Sequence, residues 1–261
     1  MHALVTGVSA GAGLLLGGEL EIAVERLGER RPFDRPWWRC PSCAIPYRGR
    51  GLVPVVNSLF LRRGCRSCRE RVSHPWRPAV LGVVSAVVLG AFAARIGNDV
   101  VLAAYAVFGL SLVAMSAVDF ERQIIPNRLV YSTLAALVPL FVLASAVDDR
   151  WGSLARAAIG AAAAFVAFLA VHLAVPRGMG FGDVRLAGVV GLATGWLGLG
   201  HTFVAFFTAF VLGAVVGIGA MVVSGAGRKT RIPFGPFLAA GAVVTVLWGN
   251  PVAQTLFHHT A

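Results

Sequence analysis

Eight stretches of this chain are too uniformly apolar to serve as the surface of a folded domain in water. They run from about Ala3 to Val24, then Ala79–Ile96, Val100–Val118, Leu129–Val147, Leu154–Val175, Val184–Leu197, Thr202–Val223 and Pro233–Trp248. In hydrocarbon every backbone N–H and C=O needs an internal partner, which leaves helices and closed barrels as the only spanning structures. A barrel strand alternates apolar and polar residues over about ten positions, and these runs do not alternate. The composition agrees, with 57% hydrophobic and 13% charged residues and a mean hydropathy of +0.76, where a soluble domain carries about 25% charged residues. Abundant glycine and alanine let helices approach closely in lipid, where burial from water no longer drives association. The expected fold is an all-α polytopic membrane protein of about eight transmembrane helices, with a small water-exposed domain after the first. Several runs fall short of the ~20 residues needed to cross about 30 Å of hydrocarbon, so their ends are approximate.

The first run lacks a basic flank and a small-residue cleavage site, which reads as an uncleaved span rather than a signal peptide. Its last turns hold Glu19, Glu21 and Glu25, either as the wet end of the helix or as the lining of an inner face. From Arg26 to Arg77 the character changes: this segment holds 13 arginines, four cysteines and no run long enough to span. The expected division is therefore a first helix over residues 1–25, a water-exposed domain over 26–77 and a transmembrane domain over 78–261.

The formal net charge of +11 could suggest a nucleic-acid partner. Much of it, however, is concentrated in that one segment beside a span, and basic loops on the cytoplasmic side explain it more economically. With eight spans, one set of loops contains the arginine-rich domain, Arg122 and Arg128, Arg177 and Arg185, then Arg228, Lys229 and Arg231. The other set contains Asp99, Asp148 and Asp149. The first set is then cytoplasmic and both chain termini lie outside. The lipid bilayer is the expected partner and nucleic acid is not; oligomeric state leaves no mark in the sequence.

Cys40-Pro-Ser-Cys43 and Cys65-Arg-Ser-Cys68 form two C-x2-C pairs separated by 21 residues. Four thiolates suit tetrahedral Zn²⁺, and with all four positions filled by sulfur no site stays open for chemistry. Cys40, Cys43, Cys65 and Cys68 are thus candidate ligands of a structural zinc, which would staple a domain too small to have much core. Disulfides or free thiols are the competing reading, and a reducing cytoplasm disfavours the disulfides.

Two carboxylates stand at the ends of apolar runs, Asp119 closing the third and Asp183 opening the sixth. Ionisable groups at such places are costly and mark function by default. A helix C-terminus carries negative partial charge and an N-terminus positive, so Asp119 is expected to resist ionisation and Asp183 to accept it. If the two are neighbours, their repulsion leaves one proton on the pair. That is the state of an acid/base dyad, in which one carboxylate activates water and the other protonates a scissile carbonyl. Gly178, Gly180 and Gly182 permit positive φ and close approach of a substrate backbone, with a plain helix-entry loop as the alternative. Glu121 is a rival carboxylate, set between Asp119 and the basic residues Arg122 and Arg128 in what reads as a solvated loop. His172, within the fifth run, reads as a histidine hydrogen-bonded inside the bundle.

Taken in order, these residues resemble the type IV prepilin peptidases, also called prepilin leader peptidase/N-methyltransferases. The resemblance covers nearly the whole chain. It is carried by the two C-x2-C pairs, Val53-Pro54-Val55, Asp119 with Ile125-Pro126-Asn127-Arg128-Leu129, Gly178-Met179-Gly180-Phe181-Gly182-Asp183, and Ile232-Pro233-Phe234-Gly235-Pro236-Phe237. It implies an aspartic membrane protease of the G-x-G-D type in the bacterial plasma membrane, with Asp119 and Asp183 as the catalytic pair. Gly180, Gly182, Arg185 and Glu121 are candidates for substrate positioning. The implied substrates are type IV prepilins and pseudopilins, cut after a glycine on the cytoplasmic side, followed in many members by methylation of the new α-amine with S-adenosylmethionine. The chain departs from the family where Arg185 replaces a lysine, which keeps the charge but cannot lose its proton. It departs again at Glu21, in place of an asparagine, and at Arg26-Leu27-Gly28, in place of Arg-Leu-Pro. Two other classes stay open: a non-enzymatic zinc-domain assembly factor for pilus or secretion machinery, and a transporter using the aspartates as proton relays.

Overall fold

A computed structural model describes residues 2–28, 76–97, 99–175, 179–224 and 233–257. The four cysteines and Gly178 lie outside the described residues. Among those described the chain is wholly helical, with α1 (His2–Gly28), α2 (Arg77–Ile96), α3 (Leu102–Arg122), α4 (Asn127–Asp148), α5 (Trp151–Ala174), α6 (Phe181–Leu197), α7 (Leu199–Ser224) and α8 (Gly235–Phe257). Each helix matches one apolar run in order. Five are long and apolar enough to cross a bilayer: α2, α3, α4, α5 and, over Leu199–Val222, α7. Shorter apolar stretches occupy His2–Gly17 of α1 and Gly235–Gly249 of α8. Along α7 the exposed side chains Phe203, Phe207, Val211, Val215, Ile218 and Val222 recur at helical spacing. A stripe of that size would be an aggregation surface in water and is an ordinary lipid-facing surface in a membrane protein.

The chain divides into two compact units, Met1–Asn98 and Asp99–Ala261. In the first, α1 and α2 run antiparallel with glycines at their contact. A Cβ on Gly13 would come within 2.6 Å of the Ser85 carbonyl oxygen, and one on Gly17 within 2.6 Å of that of Leu81. Helices this close are possible only where a side chain is missing. Gly97, with φ +80°, ends α2 and returns its N–H to the Ala93 carbonyl.

The second unit is built around α6. This helix has 17 residues, about 25 Å by the α-helical rise, and twelve of them are buried. It is apolar on all sides, as a helix surrounded by others must be. Gly191 and Gly195 form a small-xxx-small pair on the side facing α5. The Gly195 Cβ position lies 2.7 Å from the Arg156 carbonyl oxygen, and that of Gly191 overlaps the Gly160 carbonyl. On another side Tyr105 of α3 donates its hydroxyl to the Ala193 carbonyl at 2.8 Å, in a fully buried site. Its ring meets Phe108 and Phe141 edge-on, and Phe141 stacks on Trp196 at 4.9 Å. A hydroxyl bonded in an otherwise apolar core is expensive to misplace, so this contact sets the register of α3 against α6, the helices that carry the two aspartates.

Candidate active site

Helix α3 ends at Arg122, with Gln123 in the left-handed conformation and its N–H bonded to the Asp119 carbonyl at 2.8 Å. Asp119 thus lies in the last turn, on the buried face. The chain then passes through Ile125 and Pro126 into α4. Pro126 is extended at φ −66°, ψ 129°, as suits the residue before a helix, and α4 begins at Asn127.

Asp183 is the third residue of α6. Gly180 takes the N-cap position at φ −71°, ψ 145°, and its N–H donates to Asp183 Oδ2 at 3.2 Å. A carboxylate at N3 reaching back to the N-cap N–H is half of a capping box. Glycine offers no side chain for the other half. The positive φ that glycine permits is not used at Gly180, since a helix N-cap calls for extended backbone that any residue adopts. What Gly182 supplies is room: a Cβ there would stand 3.0 Å from the Ile125 Cβ and 3.4 Å from its backbone nitrogen. The loop leaving α3 therefore lies against the start of α6.

Asp119, in the last turn of α3, and Asp183, in the first turn of α6, are both buried. The contact of Gly182 with Ile125 brings the start of α6, with Asp183, against the loop that follows Asp119, so the two acids share one end of the helix bundle. A third helix completes it. Gly235, the first residue of α8, donates its N–H to Asp119 Oδ2 at 2.9 Å. This alters the electrostatics expected from sequence, because Asp119 closes its own helix but sits at the N-terminus of α8. Each carboxylate thus accepts one glycine N–H at the positive end of a helix.

Arg185 turns aside from the pair. Its guanidinium lies 4.4 Å from the centroid of the Phe181 ring and 5.8 Å from that of Tyr131, and it donates to the Asn127 side-chain oxygen. It ties the start of α4 to the start of α6. Glu121 is exposed in the last turn of α3, a helical position where a loop was expected. His172, in the last turn of α5, has Nδ1 2.8 Å from the Met179 carbonyl oxygen. Sequence reasoning assigned no role to Gly235; its placement at a helix start with proline next to it was the available signal. Among the described residues no group of three or more His, Cys, Asp or Glu could hold a metal ion.

The glycine contacts carry a prediction. Gly182→Ala presses on Ile125 and is expected to lower turnover several-fold, to within about tenfold. Gly180→Ala, whose Cβ would meet Asp183 Oδ2 at an ordinary 3.4 Å and the Gly182 nitrogen at 4.0 Å, is expected to stay within about twofold of wild type. Turnover of the two purified variants checks the order.

The fold and this site define a helical membrane protein with a buried acid pair at one end of its bundle. Comparison with known proteins gives the class a family. Residues 106–218 match the Type IV leader peptidase family, and residues 12–96 match the Bacterial Peptidase A24 N-terminal domain. A prepilin leader peptidase/N-methyltransferase of Bacillus subtilis (strain 168) is 31% identical, over 92% of this chain and 93% of the relative. Proteins of the same description from Burkholderia pseudomallei and Pseudomonas aeruginosa are 34% and 29% identical, over 81% and 93% of this chain and 67% and 90% of their own. No solved structure matches the chain. The chain belongs to the type IV leader peptidase family and is a peptidase.

Proposed function

We propose that this enzyme is an aspartic endopeptidase in which Asp119 and Asp183 hydrolyse the bond after a leader glycine of type IV prepilins or pseudopilins. The observation that carries the reading is the arrangement of the pair. Both acids are buried at one end of the bundle, where Gly182 meets Ile125, and each is pinned through Oδ2 by a glycine N–H. In this reading the two carboxylates approach closely enough to share one proton. The ionised member takes a proton from water as its oxygen attacks the scissile carbonyl. The protonated member gives its proton to the carbonyl oxygen, and collapse of the tetrahedral intermediate returns a proton to the leaving amine. In this reading Gly180, Gly182, Arg185 and Glu121 position the substrate strand.

In this reading the acids and the arginine-rich domain over residues 26–77 face the cytoplasm, about eight spans cross the plasma membrane and both termini lie outside. That orientation follows from the basic loops. The test is co-expression with a prepilin in a host lacking such a peptidase, followed by mass spectrometry of the pilin N-terminus. A leader removed after glycine is the expected result; an intact leader overturns the reading.

Methylation of the new α-amine with S-adenosylmethionine is proposed on the relatives' description alone. Glu21 and Arg26-Leu27-Gly28, which the resemblance connects with that step, fall in the part of α1 whose side chains lie outside the described residues. The same spectrum decides it through the added mass of one methyl group.

Structural zinc on Cys40, Cys43, Cys65 and Cys68 is proposed from the C-x2-C spacing. The purified protein is expected to contain about one zinc per chain. Cys40→Ser with Cys43→Ser is expected to lose it, as elemental analysis of the two preparations would show.

A further inference from the structure

The peptide unit joining Met179 to Gly180 is held at both ends. Its carbonyl oxygen lies 2.8 Å from His172 Nδ1, and its N–H donates to Asp183 Oδ2 at 3.2 Å. A carbonyl oxygen only accepts, so the imidazole in this contact carries a proton on Nδ1 and donates it. We infer that His172 is a positioning residue for the peptidase reaction: through the Met179–Gly180 peptide it aims the Gly180 N–H at Asp183 and thereby fixes where that carboxylate stands. The inference rests on Asp183 being catalytic, as proposed above.

The orientation of that peptide has to be imposed from outside. Gly180 has no side chain to brace it, and glycine backbone rotates more freely than any other. The same imidazole also lies 5.5 Å from the ring of Phe181, on the far side of Gly180. Phe181 in turn carries the Arg185 guanidinium, which reaches Asn127 at the start of α4. His172 therefore supports the glycine on both flanks. Two hydrogen bonds on one peptide unit also polarise each other: donation to the carbonyl makes the N–H a stronger donor, which favours its bond to a carboxylate. The link is local but not helical, since Met179 lies seven positions after His172 and beyond the end of α5.

Purified full-length wild type, His172→Leu, His172→Asn and Asp183→Asn are compared on a prepilin substrate in proteoliposomes. Asparagine places an amide N–H close to where the imidazole Nδ1–H stood; leucine fills the space without a donor. His172→Leu is expected to lower kcat by about ten- to a hundredfold with KM within about twofold, and His172→Asn to recover to within about threefold of wild type. Hydrogen exchange at the Gly180 amide is expected to speed up in the leucine variant and to return towards wild type in the asparagine variant. Wild-type kcat in His172→Leu, or an asparagine variant as impaired as the leucine one, overturns the inference. If the leucine variant fails to fold, His172→Asn still decides: wild-type-like kcat and Gly180 exchange support the inference, and loss of either overturns it. An active Asp183→Asn sinks the dyad itself, whereas an inactive Asp183→Asn beside a fully active His172→Leu sinks only the role of His172.

Discussion

Asp183→Asn and Asp119→Asn are each expected to abolish leader removal, with kcat lowered by at least about 10³-fold, while the protein stays folded. The amide has the shape of the carboxyl and keeps an oxygen that accepts from Gly180 N–H or Gly235 N–H, the bonds that hold Asp183 and Asp119 in place. It cannot take up a proton from water or release one to a carbonyl oxygen. Structure survives and chemistry does not. Single-turnover cleavage of a purified prepilin, read by mass, measures the loss, and thermal unfolding of the same preparations tests the fold. Retention of more than about a tenth of wild-type turnover by either variant would remove that residue from general acid/base work. The experiment also separates the classes left open by sequence, because a zinc-domain assembly factor would be indifferent to both changes.

Gly235→Ala is expected to cost about 10²-fold in kcat with little change in KM. An added Cβ would stand 2.7 Å from Asp119 Oδ2, 3.1 Å from its Cγ and 3.2 Å from its Cβ. Asp119 has a short side chain, is buried, and has no distant flexible end to swing away. The carboxylate must rotate off the α8 N-terminus or α8 must shift, and a displacement of about 1 Å at a reacting group costs on that order. Gly219→Ala is the control, since nothing lies within 4 Å of the Cβ it would add in α7, and it should match wild type. Equal turnover in Gly235→Ala and Gly219→Ala would show that the α8 contact does not place Asp119.

Much of the architecture was legible because its cause is local. An apolar run in hydrocarbon has one economical way to satisfy its backbone, so eight runs became eight helices in the same order. Asp119 at a helix end and Asp183 at a helix start were equally local, since each is read from the residues beside it. The expected difference between the two carboxylates was not safe to read from sequence. It considered only the helix each belongs to, whereas Asp119 receives the N-terminus of α8, 116 residues away in sequence. The positive φ that the motif glycines permit is not taken up at Gly180, and the room they leave is used at Gly182 by a residue distant in sequence. Among the described residues the glycines with positive φ are Gly97 and Gly198, each just past a helix end, and what demands a bare Cα at Gly182 is Ile125 across the loop.

From its sequence alone this chain is a helical membrane protein whose two candidate acids sit at helix ends, because the solvation of backbone and charge is settled within a few residues. Only the tertiary structure decided that a glycine from the last helix holds Asp119, that Arg185 binds to α4, and that a histidine from α5 reaches the loop before Asp183. Those contacts depend on which helices pack together, and that is set by missing side chains such as Gly160, Gly191 and Gly195, whose complementarity across 31 or more residues carries no local signature.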